Sequence, residues 1–225
     1  MRRTRIKICG VRDLETALAA AAAGADAIGL VFVDASPRSI PVEQARAIIL
    51  ALPAFIEPVG LFVDAAPDHI RQTAASVGLR TVQLHGRETP DDLRQLTGLR
   101  VIKAVAFDAG QMHERLDLWR TGCPNLAALL WDAPPPPEEH LPGGSGHPFD
   151  WNELARFERE GGLDNLPPAI LAGGLTPENV GQAIATVAPY AVDVSSGVES
   201  SRGVKDIGLI ASFCRAVRQA DSSRI

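Results

Sequence analysis

A short apolar run followed by a stretch with apolar residues at helical spacing recurs eight times along this chain, and that alternation limits the fold more than any single motif. The runs lie at 6–9, 27–33, 57–62, 81–85, 101–106, 128–132, 169–172 and 191–194. The helical patterns follow at 13–23, 42–52, 68–77, 91–96, 111–120, 152–160, 178–187 and 205–220. Thr89-Pro90 and Thr176-Pro177 each set a capping hydroxyl before a proline suited to the first helical position. With 225 residues, each β-then-α unit averages about 28 residues, and no linker or composition break divides the series. The pattern predicts one domain over 1–225, a closed (β/α)₈ barrel. A doubly wound eight-stranded sheet is the alternative.

Charge excludes one class of partner. Twenty-two Lys+Arg against 27 Asp+Glu leave a net charge of −5, with no basic run beyond Arg2 and Arg3, so nucleic acid is not expected as a partner. The N-terminal apolar stretch is too short for a signal-peptide core, and the alanine-rich stretch 17–25 is too short to cross a bilayer, so neither secretion nor a membrane is expected. Cys9, Cys123 and Cys214 have neither CxxC nor Cys/His spacing, which argues for reduced thiols and a cytoplasmic home. Five histidines without i,i+4 or HxH spacing give no metal site. No GxGxxG follows the first strand, so no dinucleotide cofactor is indicated.

In such a barrel, chemistry sits where strands end and βα loops begin. Alternation along Ile6-Lys7-Ile8-Cys9 sends the isoleucines to the helices and leaves Lys7 and Cys9 inside. A buried lysine needs a partner. Closure brings the eighth strand beside the first, and Val192-Asp193-Val194 points Asp193 inward, so a Lys7–Asp193 ion pair is expected. The same sorting puts Gln83 and His85 inside, with Lys103 facing that interior from the fifth strand. A thiol such as Cys9 is often inert core filler, but its place at a strand end, inward and before Gly10, makes it a candidate for acid-base work. Lys7 is expected to favour its thiolate, with Asp193 diluting that help. Asp132 ends the sixth strand as a candidate carboxyl, or as a plain loop-start residue. Gly173-Gly174 and Ser195-Ser196-Gly197 follow the seventh and eighth strands, where barrels bind phosphate through loop amides. Arg38, after the second strand, can fork onto a carboxylate or lie solvated on the surface. The long loop 133–148 carries four prolines at 134–137 and the run Gly143-Gly144-Ser145-Gly146.

Taken together, Lys7-Ile8-Cys9-Gly10, Gly29-Leu30-Val31-Phe32 with Ser36-Pro37-Arg38, Val82-Gln83-Leu84-His85-Gly86, Asp132, Gly143-Gly144-Ser145-Gly146 with Phe149-Asp150-Trp151, Leu171-Ala172-Gly173-Gly174-Leu175, and Asp193-Val194-Ser195-Ser196-Gly197-Val198-Glu199 resemble the phosphoribosylanthranilate isomerases. The likeness is collinear and spans nearly the whole chain. It implies a cofactor-free barrel, monomeric or homodimeric, acting on a small phosphorylated substrate in tryptophan biosynthesis. The reaction implied is the Amadori rearrangement of N-(5-phosphoribosyl)anthranilate to 1-(2-carboxyphenylamino)-1-deoxyribulose 5-phosphate. By the same resemblance Asp132 is the general acid that opens the ribose ring, and Cys9 is the base that takes the C2 proton. Arg38 holds the anthranilate carboxylate; the substrate-binding set is completed by His85, Gly143, Gly144, Gly173, Gly174, Ser195, Ser196 and Gly197, with Lys7 and Asp193 behind it. His147 stands where the family's loop usually has lysine, and Trp131, which alternation sends to the helix shell, precedes the acid where an aliphatic is common. Two alternatives remain: another phosphosugar isomerase or epimerase barrel, and a catalytically silent barrel that binds a phosphorylated metabolite.

Overall fold

The computed structural model describes residues 3–108, 110–120, 123–134 and 149–224. Eight parallel strands pair in chain order: β1 (Arg5–Cys9), β2 (Ala27–Val31), β3 (Glu57–Phe62), β4 (Thr81–Leu84), β5 (Arg100–Ala106), β6 (Leu126–Asp132), β7 (Ala169–Leu171) and β8 (Ala191–Val194). β8 pairs back onto β1 with Lys7 opposite Asp193, so the sheet is a closed barrel and not an open doubly wound sheet. Helices α1 (Leu14–Ala23), α2 (Val42–Ala51), α3 (Pro67–Val77), α4 (Pro90–Gln95), α5 (Met112–Asp117), α6 (Trp151–Arg159), α7 (Val180–Val187) and α8 (Ile207–Ser222) form the outer layer.

Alternation along the strands makes two cores. Ile6, Ile8, Ile28, Leu30, Phe62, Leu129 and Trp131 face outward and pack with helix residues such as Ile48, Ile70, Ile184 and Phe213. Trp131 is 1% exposed in that outer layer, as its place in the alternation requires. Inside, Val59, Ile102, Ala104, Ala128, Leu130, Ile170, Ala172 and Ala191 plug the barrel, while Cys9, Val31 and Leu61 form a separate apolar group.

Three expectations are corrected. Lys103 faces the helix layer rather than the barrel interior. It pairs in register with outward Leu84, and its Nζ donates to Gly86 O (2.7 Å) and Glu88 Oε2 (2.8 Å). Both faces of β5 are buried, so period two alone carried no sign of its direction. Next, residue 205 belongs to no helix. A two-stranded hairpin, β9 (Glu199–Ser201) and β10 (Val204–Lys205), turns at Gly203, whose φ of +82° favours glycine, and α8 starts only after the Asp206 carboxylate accepts from Leu209 N. Finally, Thr176-Pro177 forms a turn before α7. Thr176 N donates to Asn179 Oδ1 and Glu178 N to Thr176 Oγ1, a cap-like exchange on a turn that precedes the helix proper. By contrast Thr89 caps α4 as expected, in a reciprocal box with Asp92. Gly143, Gly144, His147 and prolines 135–137 lie outside the described residues.

Candidate active site

Lys7 and Cys9 both point into the barrel from β1 and are 3% and 4% exposed. Cys9 has room there because its partner across the β1–β2 register is Gly29: a Cβ at Gly29 would stand 2.7 Å from the Cys9 Sγ and 2.9 Å from its Cα. The expected ion pair is present, with Lys7 Nζ donating to Asp193 Oδ1 at 2.9 Å and both side chains buried. Burial pulls the lysine down, but Asp193 and Cys9 outweigh it and leave Lys7 above the ordinary lysine value. The expected signs hold for the thiol, Lys7 lowering its pKa and Asp193 raising it, but burial, which the sequence reading leaves out, is the larger effect. Burial raises the Cys9 pKa, and the lowering effects of Lys7 and Lys205 do not offset it, so the thiol of the free protein is held above its ordinary value.

Arg38 is not a solvated charge. Its Nε and Nη2 donate to the two carboxylate oxygens of Glu199 at 2.7 and 2.9 Å, and only 11% of its side chain is exposed. Glu199 also accepts from Lys205 Nζ (2.7 Å) and Gly203 N (3.1 Å). Burial opposes its ionisation, yet Arg38 and Lys205 hold the carboxyl at about 2. Lys205 reaches onward to Ser195 O at 2.9 Å, and Ser195 Oγ donates to Cys9 O at 3.2 Å. A continuous polar network therefore runs from the loop after β2 to the ends of β8 and β1. Glu199 and Lys205 were given no role from sequence. Gly203, whose φ of +82° turns the hairpin that pairs them, was the only local signal, and a lone glycine does not specify a hairpin.

Asp132 lies on the inner face of β6, beside Leu130 and opposite in alternation to Trp131. Its Oδ1 accepts from Ala133 N at 2.8 Å, and its Oδ2 lies 3.0 Å from His85 Nε2. His85 Nδ1 in turn lies 3.0 Å from Nε2 of the fully buried Gln83. Gly173, with φ of +79°, runs against this acid: a Cβ there would meet Ala133 N at 2.6 Å and Asp132 Oδ1 at 3.1 Å. Gly174 takes φ +63° and its carbonyl accepts from Asn179 Nδ2. Ser196 and Gly197 open a short 3₁₀ turn after β8, and a Cβ at Gly197 would overlap Leu175 O at 1.9 Å. The glycine loops after β7 and β8 are thus packed on each other. Their neighbourhood follows from barrel order; their close approach follows from the missing side chains.

Comparison with known proteins agrees with this geometry. The family model described as N-(5'phosphoribosyl)anthranilate (PRA) isomerase matches residues 6–216. A relative named N-(5'-phosphoribosyl)anthranilate isomerase from Pseudomonas fluorescens SBW25 is 44% identical, covering 99% of this chain and all of the relative. One of the same name from Pseudomonas savastanoi pv. phaseolicola is 49% identical over 96% of this chain and 98% of its own. Among solved structures, phosphoribosyl anthranilate isomerase from Thermotoga maritima superimposes with a TM-score of 0.84 at 39% identity, covering 96% of this chain and 99% of that one. A phosphoribosyl anthranilate isomerase in complex with reduced 1-(o-carboxyphenylamino)-1-deoxyribulose 5-phosphate gives 0.81 at 37%, with the same coverage. The family match covers all eight strands and the site network, and on that ground the chain belongs to the N-(5'-phosphoribosyl)anthranilate isomerase family.

Proposed function

We propose that this enzyme, acting as one barrel domain, rearranges N-(5-phosphoribosyl)anthranilate to the 1-deoxyribulose 5-phosphate isomer, with Asp132 as general acid and Cys9 as general base. The observation that carries this reading is the burial of one carboxyl and one thiol on the inner faces of β6 and β1, at the end of the barrel where the strands finish. Asp132 gives a proton to the ribose ring oxygen while the C1–O bond breaks, leaving a Schiff base. The Cys9 thiolate then takes the proton from C2, and the resulting enolamine ketonises by moving its hydroxyl proton to C1. Lys7 and Lys205, the cations acting on the thiol, favour the thiolate that this step uses. The glycine loops at Gly173, Gly174, Ser195, Ser196 and Gly197 hold the phosphate with their amides. Glu199 occupies two donors of Arg38, so the anthranilate carboxylate is met by the remaining Nη1 edge of the guanidinium. Gly143 and Gly144 belong to this binding set by resemblance.

No described helix is long and apolar enough to cross a membrane, and the described cysteines are free, which supports a cytoplasmic reading. One Thermotoga maritima neighbour is a monomer generated from a dimeric phosphoribosylanthranilate isomerase. Here Phe55 (98% exposed) and Leu50 (78%) offer an apolar surface that a homodimer would cover and a monomer would leave wet; sedimentation separates the two states.

Incubating the protein with phosphoribosylanthranilate while following anthranilate-type fluorescence tests the activity. Cys9→Ser and Asp132→Asn should each lower turnover by about 10² to 10⁴ while sparing affinity for a product analogue. Near-full turnover in either variant would remove that residue from its role.

A further inference from the structure

The acid has a neighbour arrangement that its proposed role does not yet use. Gln83 is 0% exposed, and among the described residues its Oε1 has no hydrogen-bond partner, while its Nε2 lies 3.0 Å from His85 Nδ1. A buried amide oxygen without a partner is costly, and one that lies beside a candidate acid calls for a functional explanation. The two ends of a primary amide have nearly the same shape, so a half-turn about the terminal bond exchanges a donor for an acceptor at one position. His85 Nε2 lies 3.0 Å from Asp132 Oδ2, which makes the three side chains a line from the barrel interior to the acid.

We propose that Gln83 is a positioning residue whose amide turns with the proton carried by the His85–Asp132 pair. The inference rests on Asp132 being the acid. In the unloaded arrangement the amide nitrogen, which can only donate, gives its hydrogen to His85 Nδ1, and this assigns the ring proton to Nε2, 3.0 Å from the Asp132 carboxylate. Adding one proton makes His85 a donor at both nitrogens, and Nδ1–H then requires the Gln83 oxygen. In the loaded state the proton moves from His85 Nε2 to Asp132 and from there to the ribose ring oxygen as the C1–O bond breaks. The pair has then lost one proton and the Cys9 thiolate gains one from carbon. Turnover closes when solvent carries a proton from the thiol back to the pair. This gives the acid a proton source at neutral pH, where an isolated carboxyl would have lost its own.

Among the described residues, the charged groups around the pair can be named. Lys103 and Glu88 grip the Gly86 backbone behind His85, and Asp64 with Arg87 lies at that loop's rim. Arg115 donates to Ala106 O beside Asp132, and Lys7, Cys9 and Asp193 face the interior from β1 and β8.

The test has two arms. In the wild-type protein, ¹⁵N shifts of the His85 ring, followed from high to low pH, should pass from Nε2–H alone to protonation at both nitrogens within the pH range of full activity. A ring that keeps an unprotonated Nδ1 throughout that range overturns the proposal, and this readout needs no variant. In the second arm, Gln83→Met, which offers no acceptor oxygen, should move the alkaline limb of turnover to lower pH, so that kcat at pH 8 falls at least tenfold while KM changes less than twofold. Gln83→Glu, a permanent acceptor, should move that limb the other way. Limbs that stay in place in folded Gln83 variants also overturn it. Loss of turnover in Asp132→Asn is read separately: if that variant stays active, the acid assignment fails, and the ring shifts still report whether the amide follows the proton.

Discussion

Replacing Glu199 by glutamine keeps the side chain's shape and removes the charge on which Arg38 and Lys205 converge. The carboxyl sits at about 2 against an ordinary 4.5, which corresponds to about 3 kcal/mol of preference for the ionised form in the folded protein. The side chain is only 4% exposed, so solvent screening takes little from that figure. The folded pKa is depressed, so this stabilisation is fully present above pH 4.5 and is lost as pH falls toward 2. Glu199→Gln also leaves two buried cations facing each other, in the range where removing one partner of a buried pair costs about 3 to 5 kcal/mol. Urea unfolding of the two proteins at pH 7 should therefore differ by about 3 kcal/mol, and the gap should shrink to about half that at pH 3. KM should rise along with it, because the Arg38 guanidinium loses the fork that orients it. A gap below about 1 kcal/mol that does not shrink on acidification would refute the reasoning, since Glu199 would then be acting as a solvated surface group.

Three further outcomes are expected. Gly29→Ala should cut turnover at least about tenfold in a folded protein, because its Cβ takes space held by the Cys9 sulfur; unchanged kcat would mean the thiol's position is not critical. Alkylation of Cys9 by iodoacetamide should be slow at pH 7 and rise steeply above the ordinary thiol range, and Lys7→Met should slow it further at a given pH, because burial raises this thiol and Lys7 is the main group opposing that rise. Glu88→Gln should destabilise by about 3 to 5 kcal/mol through the unpaired Lys103 ammonium, and adding Lys103→Met should recover most of it; a double variant as unstable as the single would contradict the pairing.

The barrel was legible because each strand bounded by turn residues repeats the same apolar pattern, and because helix signals such as Thr89-Pro90 fall between them. Inner and outer faces could be sorted where polar and apolar residues alternate, as in Lys7 and Cys9 or Gln83. At Lys103 they could not, since β5 is apolar on both sides. The hairpin after β8 stayed hidden because its strands, Glu-Ser-Ser and Val-Lys, are three and two residues long, with little apolar pattern to read. Arg38 could be named as a carboxylate binder, but that an internal carboxylate already fills its fork depends on Gly203 approaching Pro37, a contact 166 residues apart in sequence that local patterns do not encode. The sign of Lys7's effect on Cys9 was also readable, whereas the larger effect of burial depends on the packed barrel mouth.

The seam where β8 meets β1 has a consequence for how the protein comes into being. Lys7 meets Asp193 and Cys9 meets Ser195 across 186 residues of sequence each, and Arg38 meets Glu199 across 161. Contacts of such separation form late, because loop closure must be achieved before they contribute. During synthesis the thiol and its lysine emerge first and remain unpaired until nearly the entire chain has left the ribosome. An N-terminal fragment can collapse and gain helices while holding no assembled site. Turnover is therefore a direct reporter of barrel closure, and a variant that slows docking of β8 would accumulate as a compact, helical and inactive intermediate.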